Sequence, residues 1–371
     1  MQLLEKQSIK SLNKVVIIVI ALLSIISLVM IYSATSTYES TGFRYNFFVK
    51  QAIWVIISFI MLIIVSTISY EVWIGFSPWM YYTTIGLLLI LLLVGKNVFG
   101  SVRWFHLGPI AFQPSEFAKA SLVLMLTKFI SDNKGKIDIL EGMGKTFVII
   151  GVPMSLILLQ PDLGTTLIFI PMVFFMLFIS GMKKRYLFAT FGLLAALAPI
   201  FYFFLMKDYQ KKRITSFLNP EADPLGSGYS LIQSKIAVGS GGLFGKGLFK
   251  GTQSQLNFIP EHHTDFIFSV IGEELGFTGA IIILFLYYIL IMEGIKIAIY
   301  AKDRTSTILA TGIVSIFITQ VFVNIGMTLG LLPVVGVPLP FLSYGGSSLL
   351  FSMFLAGILL NIHMSIKKFS S

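Results

Sequence analysis

Charged residues make up only 12% of this chain, and five of them stand in or beside short polar stretches between long apolar runs: Arg103, Glu116, Lys119, Asp162 and Asp265. Glu116 and Lys119 belong to Gln113–Lys119 (QPSEFAK), Asp162 to Gln160–Thr166 (QPDLGTT) and Asp265 to Pro260–Phe268 (PEHHTDFIF). A fourth stretch, Pro338–Ser348 (PLPFLSYGGSS), sets Tyr344 among prolines and glycines. Carboxylates mixed with cations suit a substrate carrying a diphosphate and a hydroxyl to be activated. The cations stabilise phosphate charge and a carboxylate takes the proton. Charge beside hydrocarbon is costly, so several such groups gathered at one membrane face mark an active site or a conduction path.

Each residue also has a plainer role to weigh. Pro114 fits the first position of a helix, which puts Glu116 in the first turn and Lys119 three residues on, on the same face. That pair is an ordinary local ion pair unless Lys119 lies a full turn inside a membrane span, where it needs an anionic partner. Asp162 and Asp265 each precede an apolar run and suit helix N-capping, a role compatible with chemistry. His262 and His263 are adjacent and lack HxxxH or HExxH spacing, so a histidine metal site is a weak reading. Glu273 and Glu274 are intramembrane if the following span begins at Phe266 and interfacial if it begins near Leu275. The Gly-Gly-Ser-Ser of Gly345–Ser348 suits phosphate binding through N–H groups and helix entry equally.

The elements that must position these groups are membrane helices. The hydrophobic fraction is 56%, far more than a soluble domain of this length needs, which makes the fold class an all-α polytopic membrane protein. About ten transmembrane helices are predicted, at roughly 15–33, 50–68, 81–95, 115–130, 146–159, 163–180, 186–205, 266–292, 307–330 and 342–364. The third and fifth fall short of the roughly 20 residues a straight span needs. Either they are broken near the surface, or Gln160-Pro161-Asp162 makes a tight reversal between the fifth and sixth. The first run follows Lys6, Lys10 and Lys14 and lacks a small-residue cleavage site, so it reads as a retained signal-anchor helix.

Basic residues in short loops stay cytoplasmic. They cluster before the first span, after the fourth (Lys134, Lys136, Lys145), after the sixth (Lys183, Lys184, Arg185), after the eighth (Lys296, Lys302, Arg304) and in the tail (Lys367, Lys368). The alternate short loops hold only Arg44, Lys50, Lys96 and Arg103. Both termini are therefore expected in the cytoplasm, and the four polar stretches at the outer face. This retention pattern accounts for most of the +10 net charge. The cations are dispersed at loop ends, so nucleic-acid binding is a poor reading. Cysteine is absent, which removes disulfides and thiolate chemistry.

The whole chain, 1–371, reads as a single integral membrane domain with one large extracytoplasmic loop, about 206–264, between spans seven and eight. The loop opens with Lys207, Lys211, Lys212 and Arg213. Tyr229–Val238 has a helix-like alternation that suits the membrane interface. Gly239–Gly251 is glycine-rich but is no phosphate loop, since Ser240 stands where the first glycine belongs and Gly247 follows Lys246.

The pieces GSVRWFHLGPIAFQPSEFAK, QPDLGTT, IPEHHTDFIFSVIGEELGF and LPVVGVPLPFLSYGGSS, in this order, resemble the SEDS family (shape, elongation, division and sporulation) from end to end. Lys250–Phe266 and Asn324–Pro340 look more like the elongation branch, typified by RodA, than the division branch, typified by FtsW. The resemblance implies a peptidoglycan glycosyltransferase of the bacterial cell membrane that joins lipid II units into β-1,4 glycan strands at the outer face during elongation and shape maintenance. It implies Asp265 as the catalytic residue, with Arg103, Glu116, Lys119, Asp162 and Tyr344 binding substrate. Oxygen ligands such as Glu116 and Asp162, with the diphosphate, suit Mg²⁺ or Mn²⁺, and no organic cofactor is expected. The expected partners are a class B penicillin-binding protein supplying transpeptidase activity and membrane proteins of the elongation complex. Two rival functions are a flippase for lipid-linked precursors and a non-catalytic scaffold of the cell-wall synthase. Transport calls for polar groups through the membrane depth and at both faces. Here the motif charges gather at one face, which favours the enzyme.

Overall fold

A computed structural model describes residues 12–35, 43–94, 103–107, 110–133, 140–226 and 228–370. Lys6, Lys10, Lys96, Lys134 and Lys136, which bear on orientation, lie outside the described residues. Among the described residues the chain is helical apart from one two-stranded hairpin. Its helices are α1 (Lys14–Ala34), α2 (Phe43–Thr67), α3 (Tyr70–Val94), α4 (Pro114–Asp132), α5 (Leu140–Leu159), α6 (Leu163–Ile179), α7 (Lys184–Ile200), α8 (Asp208–Leu218), α9 (Tyr229–Ser240), α10 (Thr252–Gln255), α11 (Ile267–Ile299), α12 (Arg304–Thr328) and α13 (Gly346–Ser370). α1–α7 and α11–α13 coincide with the ten predicted segments. Among the described residues seven helices are long and apolar enough to cross a membrane: α1, α2, α3, α5, α11, α12 and α13. α6 is apolar but has 17 residues, and α4 carries the Glu116–Lys119 pair.

The two spans expected to be short are full length, because prolines that should break them are repaired. Pro78 lies inside α3 and offers no N–H to the Ile74 carbonyl; the Ser77 hydroxyl donates to it instead, at 2.7 Å. Pro153 in α5 frees the Ile149 carbonyl in the same way, and the buried Tyr81 hydroxyl donates to it at 2.9 Å. α3 therefore begins at Tyr70, eleven residues before the predicted boundary of 81. Gln160-Pro161 forms the tight reversal between α5 and α6.

α12 and the described part of α13 are buried along most of their length, wrapped by the other helices. The outer helices turn apolar side chains outward, among them Ile56, Ile60, Leu93 and Phe188, as a lipid-facing surface requires. Asn324, Gln320 and Asn361 are buried polar residues within this centre. Asn361 holds the α2–α3 corner by accepting from the Tyr70 N–H (2.8 Å) and donating to the Ser66 carbonyl (2.8 Å).

α11 is broken at Gly276, whose φ of +66° and ψ of −161° are not helical. The break frees the carbonyls of Glu273 and Glu274 and the N–H groups of Phe277 and Thr278. The glycine-rich stretch repairs all four. The N–H groups of Lys246 and Gly247 donate to the two carbonyls, and the Gly242 and Leu243 carbonyls accept from Phe277 and Thr278, at 2.9–3.1 Å. A Cβ at position 276 would stand 2.2 Å from the Gly245 nitrogen, so only glycine fits. The stretch is thus a backbone splint for a broken helix.

Candidate active site

Glu116 and Lys119 lie where α4 begins, after the hairpin β1 (Phe105–Leu107) and β2 (Ile110–Phe112), which pairs Phe105 with Phe112. Pro114 occupies the first helical turn. The Lys119 ammonium sits 2.9 Å and 2.8 Å from the two carboxylate oxygens of Glu116, and both side chains are buried. The predicted pair therefore forms, inside the protein.

Asp162 caps α6, accepting from the Thr165 N–H (3.2 Å) and the Thr165 hydroxyl (2.9 Å). It also accepts from the Ser115 hydroxyl (3.0 Å) and from the Gln113 amide (3.4 Å), which ties the α5–α6 turn to the start of α4. Arg103 stands 3.9 Å from its other oxygen and donates to the Pro161 carbonyl. Capping and site geometry coexist in Asp162.

α8 brings two residues that the sequence reading left out of the site. Tyr209 donates its hydroxyl to the Pro161 carbonyl (3.2 Å), and Arg213 donates to the Val334 carbonyl (3.3 Å). Their spacing of four puts them on one helix face, a signal the sequence held. The reading grouped Arg213 with Lys207, Lys211 and Lys212 as one basic cluster. In the fold Lys212 is exposed, and Lys211 donates to Phe203, outside the site. Burial and the neighbouring Arg103 depress the Arg213 pKa, with Asp265 acting in the opposite sense. Two guanidinium groups held near one another favour an anion between them.

Asp265 does not cap α11; Phe266 holds the cap position without a side-chain bond. The segment His263–Asp265 is instead pinned by three consecutive carbonyls. They accept from the Tyr344 N–H (3.0 Å), the Ser343 hydroxyl (2.7 Å) and the Asn324 amide (2.9 Å). Among the described residues no donor reaches the Asp265 carboxylate. Gly336, at φ +72°, passes so close that a Cβ there would lie 3.1 Å from Asp265 Oδ2. Asp265 keeps a partly open surface, yet protein crowds its carboxyl. Loss of water raises its pKa to about 6, reinforced by Glu261 and opposed by Arg213 and Arg103.

Tyr344 packs with Phe47 and His263, at ring separations of 5.1 and 5.5 Å, beside the Asp265 segment. Both ring nitrogens of His262 face backbone carbonyls, of Ile259 (2.9 Å) and Ala34 (2.8 Å). Burial and His262 bring the His263 pKa down to about 4, so His263 is neutral. Glu273 and Glu274 are buried in α11 just before its break. Glu273 accepts from Lys246 (2.8 Å) and the Gln253 N–H (2.9 Å); Glu274 accepts from Ser33 (2.6 Å). They anchor the long loop. The Gly345 N–H donates to Gln51 (3.3 Å), and the Ser347 hydroxyl links to Ala111 and Gln113, so this segment serves helix entry. α9 docks on α11 and α12, with Ser234 bonded to Ser269 (2.6 Å) and the Thr328 carbonyl (2.7 Å).

Among the described residues no three His, Asp or Glu side chains gather into a metal-binding group. Lys119 covers the Glu116 carboxylate, and O–H and N–H donors surround Asp162. These two carboxylates alone do not make a cation cage; a divalent ion needs further oxygen ligands, as a diphosphate supplies.

A profile of the family described as cell cycle protein, FtsW/RodA/SpoVE, matches residues 13–368. The chain is 43% identical over 354 residues to the peptidoglycan glycosyltransferase MrdB of Escherichia coli K12, covering 94% of each. It is 38% identical over 351 residues to stage V sporulation protein E of Bacillus subtilis, covering 93% of this chain and 95% of that one. Among solved structures it superposes, with TM-score 0.80 and 31% identity, on a chain of a peptidoglycan synthase complex that coordinates polymerization and crosslinking, covering 96% and 98% of the two chains. The rod shape determining protein RodA of Thermus thermophilus superposes with TM-score 0.70 and 27% identity, covering 95% and 96%.

Proposed function

This chain belongs to the FtsW/RodA/SpoVE, or SEDS, family, and from that premise we propose that it is a RodA-like peptidoglycan glycosyltransferase that polymerises lipid II at the outer face of the bacterial cell membrane during elongation. One observation supports this reading above the others: an Asp265 carboxylate free of hydrogen-bond donors among the described residues, its pKa raised to about 6, acted on through space by Arg213 and Arg103. A general base works best near the operating pH, and the cations suit a diphosphate.

In the proposed step the 4-hydroxyl of one sugar attacks the anomeric carbon of the lipid-linked sugar of the other chain. The new C–O bond forms as the bond to the diphosphate breaks, the configuration inverts from α to β, and Asp265 takes the hydroxyl proton. The undecaprenyl diphosphate departs as an anion, its charge met by Arg103, Arg213 and Lys119. Such a leaving group needs no general acid. Glu116 and Asp162, completed by diphosphate oxygens, would be the protein ligands of a Mg²⁺ or Mn²⁺ ion, which would supply Lewis-acid charge stabilisation.

The ten helices α1–α7 and α11–α13 are assigned as ten spans with both termini cytoplasmic, on the basis of the basic residues in alternate loops. That orientation sets Asp265 and the α8 loop outside. The partners are a class B penicillin-binding protein, in keeping with the synthase complex that the fold matches, and membrane proteins of the elongation complex. The test is purified protein incubated with labelled lipid II, with and without its transpeptidase partner. Glycan strands from wild type and none from Asp265→Asn support the reading. No polymer from wild type in either condition favours a flippase or scaffold.

A further inference from the structure

At the end of the α5–α6 hairpin remote from Asp162, the helices α5, α6 and α7 leave a cavity of about 100 Å³. Its walls are almost wholly apolar, with Met143, Phe169 and Phe191 among them. The hydroxyl of Thr146 in its wall is already spent on the Gly142 carbonyl, at 2.8 Å. Apolar cavities of about this size stay dry. An empty one also forfeits dispersion contacts around its lining.

Two cations mark its edge. Met182 lines the cavity, and Lys184 and Arg185, both exposed, follow it at the start of α7. An apolar slot with positive charge at its mouth matches one kind of membrane molecule. We propose that this cavity takes a segment of an acyl chain of an anionic phospholipid of the cytoplasmic leaflet, with Lys184 and Arg185 meeting its headgroup. The assignment uses the orientation given above and nothing of the catalytic mechanism. It would give the α5–α6–α7 corner a lipid as part of its packing, and that corner carries the Asp162 turn at its far end.

The structure offers a means of filling the slot. A Cβ at Gly151, which lines the cavity, meets nothing within 4 Å. Full-length wild type, Gly151→Phe and Lys184→Glu/Arg185→Glu would be reconstituted in vesicles of equal phosphatidylglycerol and phosphatidylcholine. Each is then extracted in mild detergent, and the retained lipids are read by native mass spectrometry. Wild type should retain phosphatidylglycerol over phosphatidylcholine. Gly151→Phe should lose bound lipid, and the charge variant should lose the preference for phosphatidylglycerol. Equal retention of the two lipids by wild type, or an unchanged preference in the charge variant, overturns the assignment, as does undiminished retention by folded Gly151→Phe. If Gly151→Phe does not fold, the charge variant decides alone. Retention is read without turnover, so failure of the polymerase reading leaves this result interpretable.

Discussion

Asn324 on α12 donates its side-chain amide both to the Asp265 carbonyl, at 2.9 Å, and to the Val337 carbonyl, at 2.7 Å. One side chain thus locks the Asp265 segment to the stretch that carries Gly336 past the Asp265 carboxylate. Asn324→Ala should release both carbonyls and lower kcat by about a hundredfold through misplacement, while KM for lipid II changes little. Because Asn324 is a positioning residue, the midpoint of the acid limb of the pH profile should stay where it is. A variant with wild-type kcat, or one that changes KM alone, would remove that role.

The raised pKa of Asp265 gives a pH signature. In the proposed mechanism Asp265 works as carboxylate, so turnover should fall as pH drops through about 6 and level off above it. Asp265→Asn should lose about 10²–10⁴ in rate and with it this limb. A wild-type limb near the ordinary carboxylate range would contradict the crowded setting of Asp265.

Arg213→Gln should weaken lipid II use, seen as a raised KM and a rate less sensitive to salt, since the proposed diphosphate site would lose one of its cations. Lys212→Gln on the same helix is the control, because its side chain is exposed. Equal effects of the two would reduce Arg213 to a surface charge.

Glu116 and Lys119 form a buried pair, and removing one partner costs about 3–5 kcal/mol where the other stays charged. Lys119→Met and Glu116→Gln should each cripple polymer yield, with Glu116→Gln more demanding of added Mg²⁺ or Mn²⁺ if the carboxylate assists a cation. The double variant restores charge balance and should fold well, yet remain inactive. Full activity of the double variant would show the pair to be structural only.

Membrane orientation can be read with single cysteines, since the chain has none of its own. An impermeant thiol reagent should label Leu225→Cys, in the exposed part of the long loop, in intact cells, and should spare Lys184→Cys. The reverse pattern inverts the topology and places the Asp265 site inside.

The sequence by itself determined the membrane class, the approximate helix positions, and the pairing of Glu116 with Lys119. These depend on local quantities: apolar run length, charge spacing and the 3.6-residue turn. It left the start of α3 undecided, because the hydroxyl that repairs Pro78 matters only once the helix exists, and the Pro153 repair comes from Tyr81 on another helix. Only the fold brings Tyr209 to join Arg103 on the Pro161 carbonyl, sends Arg213 to Val334, and sets Asn324 to hold Asp265. It also decided that the glycine-rich loop splints α11 at Gly276. Contacts of this kind join residues tens of positions apart, and no periodicity records them. They exist because a buried backbone group must find a partner wherever the fold supplies one.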